Sequence, residues 1–135
     1  MAIERISPEE ALRRIKEDGW VYVDVRTVPE FDEGHPEGAY NVPLGEDMVP
    51  VMERVFGKDA KLVVGCKSGG RSLRAAGMLA AAGFTNVVDQ KAGFHGAPDP
   101  FGRAGEPGWL QKGLPTATKP EPGRAWSDLV AKRGA

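Results

Sequence analysis

Disulfide bonding is excluded first, because the 135-residue chain has a single cysteine, Cys66. A thiol without an internal partner makes a reducing, cytoplasmic setting the expected one, and it is either reactive or inert filler. No apolar run approaches the ~20 residues that a membrane-spanning helix needs. The opening residues Met1 to Glu10 carry charge early and lack an apolar stretch, so no signal peptide is expected. Charge of either sign is in no excess: 18 Lys and Arg face 19 Asp and Glu, for a net charge of −1. No global field then favours nucleic acid or an acidic membrane. Internal repeats are absent. We expect no metal, no cofactor, no nucleic-acid partner and no membrane partner.

What is present suits one domain, long enough to bury roughly two-thirds of its unfolded surface. Ile3 to Ile6 reads as a short edge strand. Ser7-Pro8-Glu9-Glu10 reads as a helix start with a capping box between Ser7 and Glu10. Ala11, Leu12 and Ile15 give that helix its apolar stripe, and Gly19 ends it. Trp20 to Arg26 is β-branched and aromatic, a strand covered on both faces. Pro29 to Asp32 forms a helical turn. Gly34 to Pro43 gives a loop and then a short strand at Ala39 to Asn41. Val49 to Phe56 has helical spacing and stops at Gly57.

Next comes a strand at Leu62 to Val64, a tight loop from Cys66 to Arg71, and a helix from about Ser72 to Ala82. Asn86 to Asp89 is the last clear strand. Strands thus alternate with helices about five times, the pattern of a parallel sheet with helices on both faces. Ala92 to Pro107 is rich in Gly and Pro and reads as a long ordered loop. Trp109 to Lys112 is expected as a last short helix. Thr116 to Gly123 reads as a linker by composition. Ala125 to Lys132 reads as a short amphipathic helix with Trp126, Leu129 and Val130 on one side, packed on the domain or docking a partner.

Cys66 sits where the strand becomes the loop. Gly69 and Gly70 let the loop turn its N–H groups inward. The helix that follows places partial positive charge there. Lys67 and Arg71 add full charges. All three effects favour thiolate over thiol; a free cysteine has a pKa of about 8.5, and such surroundings lower it to ~3.5–7.5. The bowl could attack sulfur or phosphorus. A phosphate tetrahedron needs a wider cup, with one residue more between the cysteine and the arginine than the four found here, Lys67, Ser68, Gly69 and Gly70. The shorter cup suits one extra sulfur atom. No general acid of the phosphatase kind is evident.

The chain resembles the single-domain rhodaneses, or thiosulfate sulfurtransferases. The resemblance is carried by Val23 to Pro43 (VDVRTVPEFDEGHPEGAYNVP), Val63 to Ser72 (VVGCKSGGRS), Ala80 to Gly93 (AAAGFTNVVDQKAG) and Gly108 to Pro115 (GWLQKGLP), in that order. It implies a three-layer α/β/α sandwich with a five-stranded parallel sheet in the order 1-5-4-2-3. The rhodanese domain would span residues 1–118, with a Pro-rich linker and short helical tail over 119–135. Chain direction then switches between strands 2 and 4, where ligands bind outside the carboxyl ends of strands. Arg26 and Cys66 would both lie there.

The implied activity is sulfur transfer. Cys66 takes the outer sulfur of thiosulfate or a similar donor as a persulfide, held by N–H groups of Lys67 to Ser72, and passes it to cyanide, a thiol or a protein. Lys67 is expected to recognise the anionic donor. Asp24, Arg26 and Glu30 read as a structural ion-pair set supporting the site, and Arg71 as a brace for the loop through carboxylate neighbours. Ser72 is expected to cap the helix or to donate to sulfur. His35 reads as structural.

Two departures from the family pattern stand out. A segment from Phe94 to Pro107 separates Gly93 from the motif with Trp109, where the family runs directly to a Trp-containing helix. We expect it to overhang the bowl and set acceptor choice through His95, Asp99 and Arg103, the plain alternative being a rigid surface insertion. The tail beyond Pro115 is the second. The competing functions are a small cysteine phosphatase or arsenate reductase and a non-catalytic interaction module of the same fold.

Overall fold

The computed structural model describes residues 3–97, 101 and 105–133. The chain enters through β1 (Glu4–Ile6) and α1 (Pro8–Glu17). Ser7 caps α1, its Oγ accepting from the Glu10 amide at 3.1 Å. The Glu10 carboxylate does not return the bond, contrary to expectation. It accepts instead from Arg13 and Arg14, its neighbours along the helix surface. The reciprocal pair occurs one element later. After β2 (Val21–Asp24), α2 (Val28–Glu33) opens with Thr27 and Glu30 each accepting from the other's backbone amide.

Then follow β3 (His35–Pro36), β4 (Tyr40–Asn41), α3 (Met48–Val55), β5 (Lys61–Gly65), α4 (Gly70–Ala81) and β6 (Asn86–Gln90). The chain closes with β7 (Thr116–Ala117) and α5 (Trp126–Arg133). Five strands form one parallel sheet in the order β1-β6-β5-β2-β4. Counted along the sheet strands alone, this is 1-5-4-2-3, as expected. Side chains alternate across it, as the two-residue period of a strand requires. Val23, Leu62 and Val64 face one core with Met48, Met52, Leu79 and Phe84. Tyr22 and Val63 face the other with Ala11, Phe31, Phe94 and Trp109. Both faces are covered, which is why the strands read as continuous apolar runs.

Two segments differ from the sequence reading, and a third settles a choice it left open. Trp109 to Lys112 is a hydrogen-bonded turn and not a helix; Trp109 is held by its indole N–H on Pro115 O at 2.7 Å and by its edge-on contact with Tyr22. The presumed linker begins as a strand, since β7 pairs antiparallel with β3. The tail returns to the domain: Leu129 is 1% exposed within the core that α3 lines, with Trp126 and Val130 packed around it. Of the two placements expected for this helix, on the domain or on a partner, the first is found, driven by burial of three apolar side chains at helical spacing.

Among the described residues, no helix is long and apolar enough to cross a membrane. Leu129→Ala is expected to cost about 2–5 kcal/mol, the range for emptying a buried leucine site. A lowered urea midpoint with an unchanged denaturant slope is the measurement that checks it.

Candidate active site

The ends of β2 and β5 are level in the sheet, with Val23 opposite Val64 and Asp24 opposite Gly65. Arg26 and Cys66 therefore leave the same edge, at the point where strand order reverses. Cys66 is 1% exposed, and its side chain borders the core that contains Val23 and Val64. Its sulfur accepts a hydrogen bond from the Gly69 amide at 3.1 Å. The loop thus folds back so that its third residue beyond the cysteine covers the sulfur.

Only one of the two glycines is demanded by this turn. Gly69 has φ +103°, and a Cβ there would run into the carbonyl oxygen of Lys91. Gly70 has ordinary φ and open space around it. It is already the first residue of α4, so the helix begins two residues earlier than its apolar spacing suggested.

The rest of the loop is aimed from outside. Cys66 O accepts from Phe94 N at 2.8 Å, and Lys67 O accepts from His95 N at 2.9 Å. A trans peptide places C=O and the next N–H on opposite sides. Fixing those two carbonyls on residues 94 and 95 therefore turns the Lys67 and Ser68 amides the other way. Gly93 makes the approach possible. Its φ is +68°, and a Cβ would lie 2.5 Å from Lys67 O and 2.6 Å from Cys66 O.

Charged groups brace the loop from three directions. Arg71 makes a two-pronged ion pair with Glu30 of α2, at 2.8 and 3.0 Å. The Arg71 guanidinium, aided by bonds from Thr27, holds the Glu30 carboxyl down at about 2. Arg26 is buried; it pairs with Asp24 at 2.8 Å, donates to Gly34 O at 2.6 Å and lies 4.6 Å from the centre of the Phe94 ring. Asn41 Nδ2 donates to the carbonyls of Asp24 and Arg26. Beneath α4, the Ser72 hydroxyl meets the Asp89 carboxylate, which also accepts from Arg5 Nε at 2.8 Å. Burial pushes the Asp89 carboxyl upward, against the pull of Ser72 and Arg5.

The Ser72 expectation is corrected here. Its hydroxyl, buried among Asp89 and Gly69 O, neither caps the helix nor reaches the sulfur; the cap position is Gly69, which has no side chain. Lys67 and Ser68 are exposed. They line an open cleft of about 640 Å³ with His95, Glu106 and Gln111. A smaller cleft of about 210 Å³ lies on the other side, walled by Arg26, Glu30, Phe94, His95 and Leu110. Cys66 itself lines neither cleft. His35 is buried, with Nδ1 2.7 Å from Phe31 O and its ring stacked on Phe31. Asp99 and Arg103 lie outside the described residues. Among the described residues, no cluster of His, Cys, Asp or Glu could hold a metal ion.

Sequence reasoning missed the backstop at Gly93 to His95 and the Arg5–Asp89 support. The glycine before Phe94 was the available signal for the first. An acidic residue directly after the apolar pair Val87-Val88 in β6 was the signal for the second.

The Glu30–Arg71 pair sets a pH dependence. The folded-state pKa of Glu30, about 2, lies below the ordinary 4.5, so its contribution is complete above about 4.5 and is lost as the pH falls through about 2. Glu30→Gln is expected to lower the denaturant midpoint at pH 7, with the gap to wild type closing between those two values.

Comparison with known proteins agrees with this architecture. The chain is 37% identical over 108 residues to thiosulfate sulfurtransferase 16, chloroplastic, of Arabidopsis thaliana, spanning 73% of this chain and 80% of that one. It is 37% identical over 93 residues to the thiosulfate sulfurtransferase GlpE of Pseudomonas fluorescens, spanning 67% and 81%. Protein HIGH ARSENIC CONTENT 1, mitochondrial, of Arabidopsis thaliana is 34% identical over 86 residues, 56% of this chain and 51% of that protein. The crystal structure of Rv0390 from M. tuberculosis superposes with a TM-score of 0.74 at 25% identity, covering 88% of this chain and 100% of that one. Residues 7–97 match the rhodanese-like domain, and the chain belongs to that family.

Proposed function

We propose that the protein is a sulfurtransferase that carries sulfane sulfur on Cys66. The observation that carries this reading is the Gly69 amide on the Cys66 sulfur at 3.1 Å, inside a cup with four residues between Cys66 and Arg71. The Cys66 thiolate attacks the outer sulfur of thiosulfate. A bond forms between Sγ and that sulfur, the original sulfur–sulfur bond breaks, and sulfite leaves with the electron pair. The transferred atom then stands about 2 Å from Sγ, the length of a disulfide-type bond. Amides of the loop and the first turn of α4 stabilise its negative charge, as donors in an oxyanion hole stabilise oxygen. A second nucleophile, such as cyanide, a thiol or a protein cysteine, removes the sulfur and restores the thiolate. The unpaired thiol suits a reducing compartment such as the cytosol.

The phosphatase or arsenate reductase reading is weaker. Both terminal nitrogens of Arg71 donate to Glu30, so the guanidinium is used as a brace to α2. A chromogenic phosphate ester is expected to be left intact.

Incubation with thiosulfate is expected to raise the intact mass by one sulfur atom, and a dithiol should reverse the gain. Cys66→Ser is expected to lose both the gain and turnover; an unmodified wild-type protein would overturn the reading in favour of a non-catalytic module. Lys67→Ala is expected to raise the apparent KM for thiosulfate by a factor of about 5, the effect of roughly 1 kcal/mol from one exposed charge. Initial rates against thiosulfate concentration, with kcat little changed, check it.

A further inference from the structure

We propose that the His95 imidazole accepts the proton of a thiol that takes sulfur from Cys66, making thiols the acceptor class this site serves; the inference rests on the persulfide reading above. His95 is held close to the loop from two sides. Its backbone amide binds Lys67 O at 2.9 Å, and its carbonyl accepts from Gln111 Nε2 at 2.8 Å. The preceding residue is the one that binds Cys66 O. The ring stands edge-on to Phe94, with centroids 5.1 Å apart and planes at 90°. Among the described residues, His95 alone lines both clefts, the one that contains Lys67 and Ser68 and the one that contains Arg26. Its imidazole makes no hydrogen bond with any described residue, although it is exposed.

Such a base has work to do. A thiol near pKa 8.5 is mostly protonated at neutral pH, and only its thiolate attacks sulfur. Other groups around the clefts are poorly suited. Glu30 is paired with Arg71, Glu106 with Lys91, and Arg26 with Asp24. A carboxylate is a weak base, and an ammonium has no lone pair with which to accept a proton. An imidazole titrates near the operating pH, where general-base catalysis is most effective. Partial desolvation first, and then the charges of Arg26 and Lys67, push His95 below the ordinary histidine range; Glu30 and Glu33 pull the other way. The ring is therefore neutral and able to accept at neutral pH.

The step balances. The S–H bond of the acceptor breaks and its proton goes to the His95 imidazole. The thiolate sulfur bonds to the outer persulfide sulfur, and the bond to Sγ breaks with its electron pair returning to Cys66. An acceptor persulfide and the Cys66 thiolate result, and imidazolium returns its proton to water. No external oxidant or reductant is needed.

The test preloads the full-length protein with thiosulfate, verifies the added sulfur by mass, and times discharge to two acceptors. One is an alkyl thiol, protonated at neutral pH; the other is a nitro-substituted arenethiolate, already ionised. His95→Gln is expected to slow discharge to the alkyl thiol on the order of 10²-fold, the lower end of general-base effects, with a much smaller effect on the arenethiolate. The acidic limb of the alkyl-thiol pH profile should shift upward, to follow the ionisation of the thiol itself. Free imidazole should restore the alkyl-thiol rate in His95→Ala. Equal slowing on both acceptors, or no slowing, overturns the role of His95 while leaving the persulfide reading intact. A wild-type protein that never loads overturns both.

Discussion

The site depends on where two carbonyl groups point. With Cys66 O and Lys67 O fixed on the amides of Phe94 and His95, the peptides between them have one available orientation. The side chains of the loop contribute little to this: Lys67 and Ser68 are exposed. The cup is a property of backbone geometry, imposed by a neighbouring segment that follows the next strand in the chain. Electrostatics then acts on a shape already set. Gly69 supplies the sharp turn, α4 supplies its N-terminal amides, and the Arg71–Glu30 and Arg5–Asp89 pairs tie the C-terminal end of the loop to α2 and β6.

The sheet was legible in the sequence because each strand is a short apolar run between turn residues. Val21–Asp24 and Lys61–Gly65 lie within a residue or two of where their β-branched runs suggest. The cysteine loop was legible because one nucleophile, a glycine pair and an arginine fall at fixed spacing. Partner choice was not legible. Glu10 and Glu30 both stand three residues after a capping side chain, yet Glu10 turns to two nearby arginines and only Glu30 closes the box. Ser72 looked like a cap or a donor to sulfur until Asp89, distant in sequence, took its hydroxyl. Local pattern states what a residue can bond; tertiary neighbours decide which bond forms.

Compositional reasoning failed at the C-terminal end for a related reason. Thr116 to Gly123 has the content of a linker, but its first two residues add a strand to His35–Pro36. Leu129 then fills space beside α3 that the sheet strands leave open. The spacing of Trp126, Leu129 and Val130 allowed packing on the domain or on a partner, and the core gap that decides between them exists only once the fold does. The same holds for Gly93, whose missing side chain matters because two carbonyl oxygens occupy the space.

The antiparallel bridge between Ala97 and Glu106 has an architectural consequence. It clasps the two stems of the insertion, and the Lys91–Glu106 ion pair at 2.9 Å fastens the clasp to the end of β6. Everything that orients the cysteine loop lies on the inner side of that fastening. The amides of Phe94 and His95 therefore belong to a segment closed at its base, and their aim does not rest on the cysteine loop alone.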